Sequence, residues 1–196
     1  MRQAQVTRKT GETDITLTVN LDGTGRYDIR TGVGFFDHML TGFARHGKFD
    51  LTVTCTGDTW VDDHHTVEDV GICLGQAFAQ ALGEMRGVER FGQSLLPMDE
   101  TLILGAVDLS GRGMLCWDVA LPTAKVGTFD TELAKEFWLA FVRECPMALH
   151  IRLLAGENTH HILEAVFKGT GRALKMAVAL DEKHRDEIPS TKGVLT

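Results

Sequence analysis

The stretch Asp62-Asp63-His64-His65-Thr66-Val67-Glu68-Asp69 has a counterpart 96 residues further on, Asn158-Thr159-His160-His161-Ile162-Leu163-Glu164-Ala165. A doubled His-His-x-x-Glu at a fixed offset is the mark of an internal repeat, and a repeat constrains the whole fold. Extended without gaps, the same offset pairs Val70 with Val166, Gly75 with Gly171, Ala77 with Ala173 and Ala81 with Ala177. The match therefore runs through an entire helix, with the histidines at its start.

Working outward, Leu21-Asp22-Gly23-Thr24-Gly25-Arg26 resembles Val107-Asp108-Leu109-Ser110-Gly111-Arg112, and each follows a strand-like run, 15–19 and 102–107. Both segments read as hairpin turns. Helical stretches are expected over 36–46 and 132–144, with Phe43 and Arg45 matching Phe141 and Arg143, followed by strands over 49–54 and 149–154 and then a glycine. Each half thus reads strand, strand, helix, strand, a short loop or fourth strand, and the histidine-bearing helix. Two helices cover only one face of a sheet, so two halves packed together bury what either exposes alone. The expectation is an α+β fold of tandem half-repeats with pseudo-twofold symmetry, 1–93 and 94–196, forming one compact domain with its boundary near Gly92 to Leu96.

Composition narrows the function. A formal net charge of -7 repels a phosphate backbone, which excludes general nucleic-acid binding. No apolar run is long enough to span a bilayer and the start lacks a signal-peptide core, so a cytoplasmic protein with no membrane partner is expected. Cys55, Cys73, Cys116 and Cys145 are widely spaced with no C-x-x-C, which leaves histidine as the ligand type to follow.

On a helix, residues i and i+4 lie about 40° apart, so His64 with Glu68 and His160 with Glu164 each form a chelating pair. Adjacent histidines diverge by about 100°, so His65 and His161 belong to different ions from their neighbours. Two metals are expected, each taking a His and a Glu from one helix and an odd His from another, within one subunit or between subunits. Under the Phe43/Phe141 pairing, His38 and Glu136 are matched further ligands. Imidazoles and carboxylates without thiolate suit Mn²⁺, Fe²⁺ or Zn²⁺, and the carboxylate content favours Mn²⁺. Asp62-Asp63 is either a further ligand source or a helix-terminal charge, with capping the preferred reading. His46, His150 and His184 lack ligand-type repeat partners and read as structural or peripheral, His150 being the first exception to consider.

Phe35-Phe36-Asp37-His38-Met39-Leu40, the first His-His segment and Gly156 to Lys168 resemble the signatures of the imidazoleglycerol-phosphate dehydratases, a likeness that covers nearly the whole chain. The resemblance implies a duplicated fold like domain 2 of ribosomal protein S5. It implies two Mn²⁺ per active site at subunit interfaces, and trimers assembled to a 24-mer. The implied reaction is the dehydration of D-erythro-imidazoleglycerol phosphate to imidazoleacetol phosphate in histidine biosynthesis. His38, His64, His65, Glu68, Glu136, His160, His161 and Glu164 are then the implied metal ligands; at position 136 some members carry His. Glu12, Arg90, Arg112, Lys168, Ser190, Thr191 and Lys192 are the implied substrate and phosphate contacts. Gly42 stands where some relatives carry a Gln that reaches the substrate.

The chemistry accounts for these residue types. The proton to be removed has no neighbouring carbonyl to acidify it, so an enolate route is closed. With both ring nitrogens on metal, the imidazole can become imidazolate and expel the adjacent hydroxyl as a diazafulvene forms. A carboxylate base, Glu164 or Glu12, then takes the proton from the next carbon. Arg forks and Lys point charges suit the phosphate, and the 188–193 tail is expected to order around it. Two other classes fit the clusters less well. A metal-dependent assembly protein leaves the anion-binding residues without a role. A di-metal phosphohydrolase needs ions roughly 3.5 to 4 Å apart.

Overall fold

The computed structural model describes residues 2–195. The first half runs β1 (Gln3–Lys9), β2 (Thr13–Asn20), β3 (Tyr27–Arg30), α1 (Gly34–Gly47), β4 (Asp50–Gly57) and α2 (His64–Leu82). The second half repeats this as β5 (Phe91–Met98), β6 (Thr101–Asp108), β7 (Met114–Asp118), α3 (Leu133–Glu144), β10 (Ala148–Ala155) and α4 (Thr159–Ala177). A small hairpin, β8 (Lys125–Val126) with β9 (Phe129–Asp130), is inserted before α3. The sheets are ordered β1-β2-β4-β3 and β5-β6-β10-β7, so the two halves share one topology and the fold is α+β. Residues 92–96, where the sequence placed the boundary, lie inside β5; the chain passes between halves over 83–90.

The expected hairpins after β2 and β6 are corrected. Their turn residues do turn the chain, but β3 pairs with β4, and β7 with β10, both in parallel. The chain must therefore cross the end of the central strand to reach the far edge. Asp50, the first residue of β4, guides it by accepting the backbone N–H groups of Thr24, Gly25 and Arg26 at 2.8, 3.1 and 2.9 Å. The true hairpins are β1–β2 and β5–β6.

β2 alternates with period two: Thr13, Ile15, Leu17 and Val19 are buried while Asp14 and Thr16 face solvent. Its inner face packs on α2, as β5 and β6 pack on α4, and the helices lie between the two sheets. The helix pairs cross between halves, α1 with α4 and α2 with α3. At their centre Phe43, Phe78, Phe137, Trp138, Phe141 and Phe167 form a fully buried aromatic cluster. Each such side chain contributes roughly 1.5–3 kcal/mol by burial.

The repeat-paired glycines have a common role. A Cβ at Gly171 would stand 2.7 Å from the Phe43 carbonyl oxygen, and one at Gly75 2.6 Å from that of Phe141. Only glycine lets these backbones approach so closely. The equivalence of Gly75 with Gly171, and of Phe43 with Phe141, is thus a shared packing contact. No helix is long and apolar enough to cross a membrane among the described residues.

Candidate metal centre

The chain is capped so that both His pairs fall at helix starts. Asp62 Oδ1 accepts the His64 backbone N–H at 2.8 Å, which makes capping its role; the Asp63 side chain makes no cap bond. Asn158 does the same for α4, accepting from the His160 and His161 N–H groups at 2.9 and 3.3 Å. The rings of His64 and His65 have centroids 6.2 Å apart and planes at 86°, and those of His160 and His161 have centroids 6.3 Å apart and planes at 84°.

Because α1 of one half packs on α4 of the other, His38 comes to His160 and Glu164. The Nε2 atoms of His38 and His160 lie 3.6 and 3.3 Å from Glu164 Oε2, and ligand atoms from all three residues fall within 4.8 Å of one another. Burial pushes the Glu164 carboxyl up. Lys168, whose Nζ donates to Oε1 at 2.6 Å, outweighs this together with the two histidines and holds it below its ordinary value.

The twin cluster is less closed. His64 Nε2 stands 3.8 Å from Glu68 Oε2, and Arg143 approaches the other Glu68 oxygen at 3.8 Å. Glu136 sits in the first turn of α3, half-buried, and the structure does not gather it with His64 and Glu68 into a three-ligand group among the described residues.

The odd histidines are each held by a carboxylate that the sequence reading missed. His65 Nδ1 lies 3.0 Å from Asp58, and His161 Nδ1 2.8 Å from Glu100. An Nδ1–H donated to a carboxylate fixes the ring and leaves the Nε2 lone pair for a metal. These bonds raise the pKa of both histidines, and the bond from His161, with the Asn158 N–H, holds Glu100 down to about 2. The signal for Glu100 is its place in the β5–β6 hairpin, equivalent to that of Glu12 in the β1–β2 hairpin. Asp58 carries no such signal. Glu12 itself lies exposed, its Oε1 3.6 Å from His65 Nε2.

The anion-contact candidates divide between two ends of the molecule. Lys168 lies on α4 two turns after His160, next to Gly42. Arg90, by contrast, is anchored at the far end of α4, where its N–H bonds the Ala177 carbonyl. There its guanidinium pairs with Asp108 at 2.8 Å and donates to the Pro189 carbonyl at 2.8 Å, which ties down the tail carrying Ser190, Thr191 and Lys192. Arg112 is exposed in the adjoining β6–β7 loop. His160 and Ala177 are 17 residues apart, about 25 Å along a helix. One chain therefore does not bring the Arg90 group to its own metal ligands.

A family profile described as imidazoleglycerol-phosphate dehydratase matches residues 31–174. The chain is 61% identical to the imidazoleglycerol-phosphate dehydratase of Desulforamulus reducens, covering 99% of this chain and 98% of that one. It is 59% identical to that of Jannaschia sp. over the whole of both chains. Among solved structures it resembles the Staphylococcus aureus enzyme with a TM-score of 0.83 and 40% identity, covering 91% of this chain and 99% of that one. The Pyrococcus furiosus enzyme, in complex with (S)-C348, gives a TM-score of 0.84 and 40% identity, with 97% and 100% coverage. With the duplicated fold and the histidine clusters, these likenesses show that the chain belongs to the imidazoleglycerol-phosphate dehydratase family, a family of hydro-lyases.

Proposed function

We propose that the chain dehydrates D-erythro-imidazoleglycerol phosphate to imidazoleacetol phosphate in cytoplasmic histidine biosynthesis, using two Mn²⁺ per active site in a trimer-based 24-mer. The observation that carries the reading is the convergence of His38, His160 and Glu164 within 4.8 Å. This donor set of imidazoles and a carboxylate, free of thiolate, fits Mn²⁺. His38, His160 and Glu164 would hold one ion, and His64, Glu68 and Glu136 the other. His65 and His161, with Nε2 turned away from their neighbours' clusters, would complete the sites of adjacent copies. Mn²⁺ held by these residues would supply Lewis acidity toward the substrate's imidazole.

Of the two candidate bases, Glu12 has the surroundings that support the role. Glu164 is buried and held by Lys168, the position of a ligand. Glu12 is exposed and hydrogen-bonds no cation, so it is the better placed to take the carbon-bound proton. Lys168 would face the phosphate from the metal side. Arg90, Arg112, Ser190, Thr191 and Lys192 would face it from a neighbouring copy, which supports a site shared between subunits. The test is to incubate the Mn²⁺-loaded, assembled protein with imidazoleglycerol phosphate and follow the ketone product. Turnover supports the reading; its absence in well-metallated protein overturns it and leaves the assembly role.

A further inference from the structure

The two halves differ where the first hairpin meets α2. Asp69, one residue after Glu68, is a buried carboxylate. Its Oδ2 accepts the Thr13 hydroxyl at 2.5 Å, and its Oδ1 stands 3.0 Å from Arg8 Nη2. Packing does not require this arrangement, as the other half shows. β2 opens at Thr13 as β6 opens at Thr101, and Arg8 faces Ile15 in the first hairpin as Leu96 faces Ile103 in the second. Arg8, Glu12 and Thr13 therefore match Leu96, Glu100 and Thr101, while Asp69 matches Ala165 at the 96-residue offset. The second half closes its hairpin on its helix with the apolar side chains of Leu96 and Ala165. A buried ion pair is often no more stabilising than such an apolar exchange, and this one leaves Arg8 Nε buried without a partner.

The carboxylate changes where a hydroxyl points. In the second hairpin, with alanine at 165, Thr101 Oγ1 donates to its own neighbour Glu100 at 3.2 Å. Glu100 also accepts from the Asn158 N–H at 3.0 Å and holds His161, so its oxygens are engaged. In the first hairpin Thr13 donates inward to Asp69 instead, and His65 Nε2, at 3.6 Å from Glu12 Oε1, lies beyond hydrogen-bond reach. Each hydrogen bond to a carboxylate stabilises its charged form and weakens its pull on a proton, so a general base works best relieved of donors.

We propose that Asp69 is a positioning residue for the dehydration: it draws the Thr13 hydroxyl into the core and so leaves the Glu12 carboxylate free to take the carbon-bound proton. The inference rests on the reading of Glu12 as the base.

Asp69→Ala alone strands Arg8, so the test variant is Arg8→Leu with Asp69→Ala, which copies the second half. The expected protein assembles, melts cooperatively and keeps wild-type Mn²⁺ content and KM. Its kcat falls about tenfold, the scale of one charge-assisted hydrogen bond. Its crystal structure shows the Thr13 hydroxyl on Glu12. Adding Thr13→Val removes that hydroxyl and restores kcat, a rescue that a merely structural ion pair would not give. Arg8→Met with Asp69→Leu carries the same expectations where the first pair does not assemble. A double variant with wild-type kcat, or a triple variant that stays slow, overturns the proposal. Glu12→Gln at the wild-type rate overturns the base reading and the proposal with it, whereas a slow Glu12→Gln beside a fast double variant overturns the proposal alone.

Discussion

Alanine at Gly171 would place a Cβ 2.7 Å from the Phe43 carbonyl oxygen and 3.3 Å from the Gly47 nitrogen, where ordinary contact begins at 3.4 Å. Both obstacles are backbone in α1, so neither swings aside, and the two helices must part by about 0.7 Å, the difference between 3.4 and 2.7. Overpacking of this kind costs about 1–3 kcal/mol, and the better helix propensity of alanine returns up to about 1. A net loss of about 1–2 kcal/mol is expected. For a chain of this size each kcal/mol lowers Tm by roughly 2–4 °C. The same displacement moves His38 on α1 away from His160 and Glu164 on α4, so Mn²⁺ affinity falls with stability. Thermal unfolding of the metal-free protein and Mn²⁺ titration measure the two effects. Gly34→Ala is the control, since a Cβ there meets nothing within 4 Å. A Gly171→Ala protein with unchanged Tm and unchanged Mn²⁺ affinity would refute the argument that this contact sets the site.

Glu12→Gln should lower kcat by about 10²–10⁴-fold while metal content, measured by elemental analysis, stays at the wild-type level; lost metal would instead make Glu12 a ligand. Glu100→Gln removes the acceptor that orients His161, and a loss of about 10–100-fold in Mn²⁺ affinity is expected by titration. That pair also has a pH signature in the metal-free protein. His161 is raised above 6.5 and Glu100 lowered from 4.5 to about 2. The two shifts describe one interaction. Its stabilisation is full between pH 4.5 and 6.5, is lost upward through the raised His161 pKa, and is lost downward through about 2. Denaturant midpoints of wild type and Glu100→Gln should differ most inside that window; an equal difference at pH 9 would rule the pair out as the cause.

The helices and the doubling were legible because α2 and α4 carry long periodic patterns with the same small residues at the same steps. The metal cluster was legible only through the doubling: His38 lies 122 residues before His160, and nothing local joins them. β1 was not legible, since only Val6 of its seven residues is buried and an edge strand of this kind carries no clear alternation. The parallel placement of β3 was hidden for a different reason. Its loop residues signal a turn, but its destination is set by Asp50, which a turn pattern does not encode. Asp58 acts on a histidine ring through a contact made only after folding and left no spacing to read, whereas Glu100 was marked only by a hairpin position matching that of Glu12.

The separation of His160 from Arg90 by the length of α4 bears on more than the layout of residues. On the proposed reading, a newly made chain can fold, cap its helices and take up a metal while lacking any grip on the far end of its substrate. Activity would then begin with association rather than with folding, and it would depend on how many chains the cell holds. Two chains damaged at opposite ends of α4 could each lend the other an intact end, so that a mixed shell would work where neither parent does.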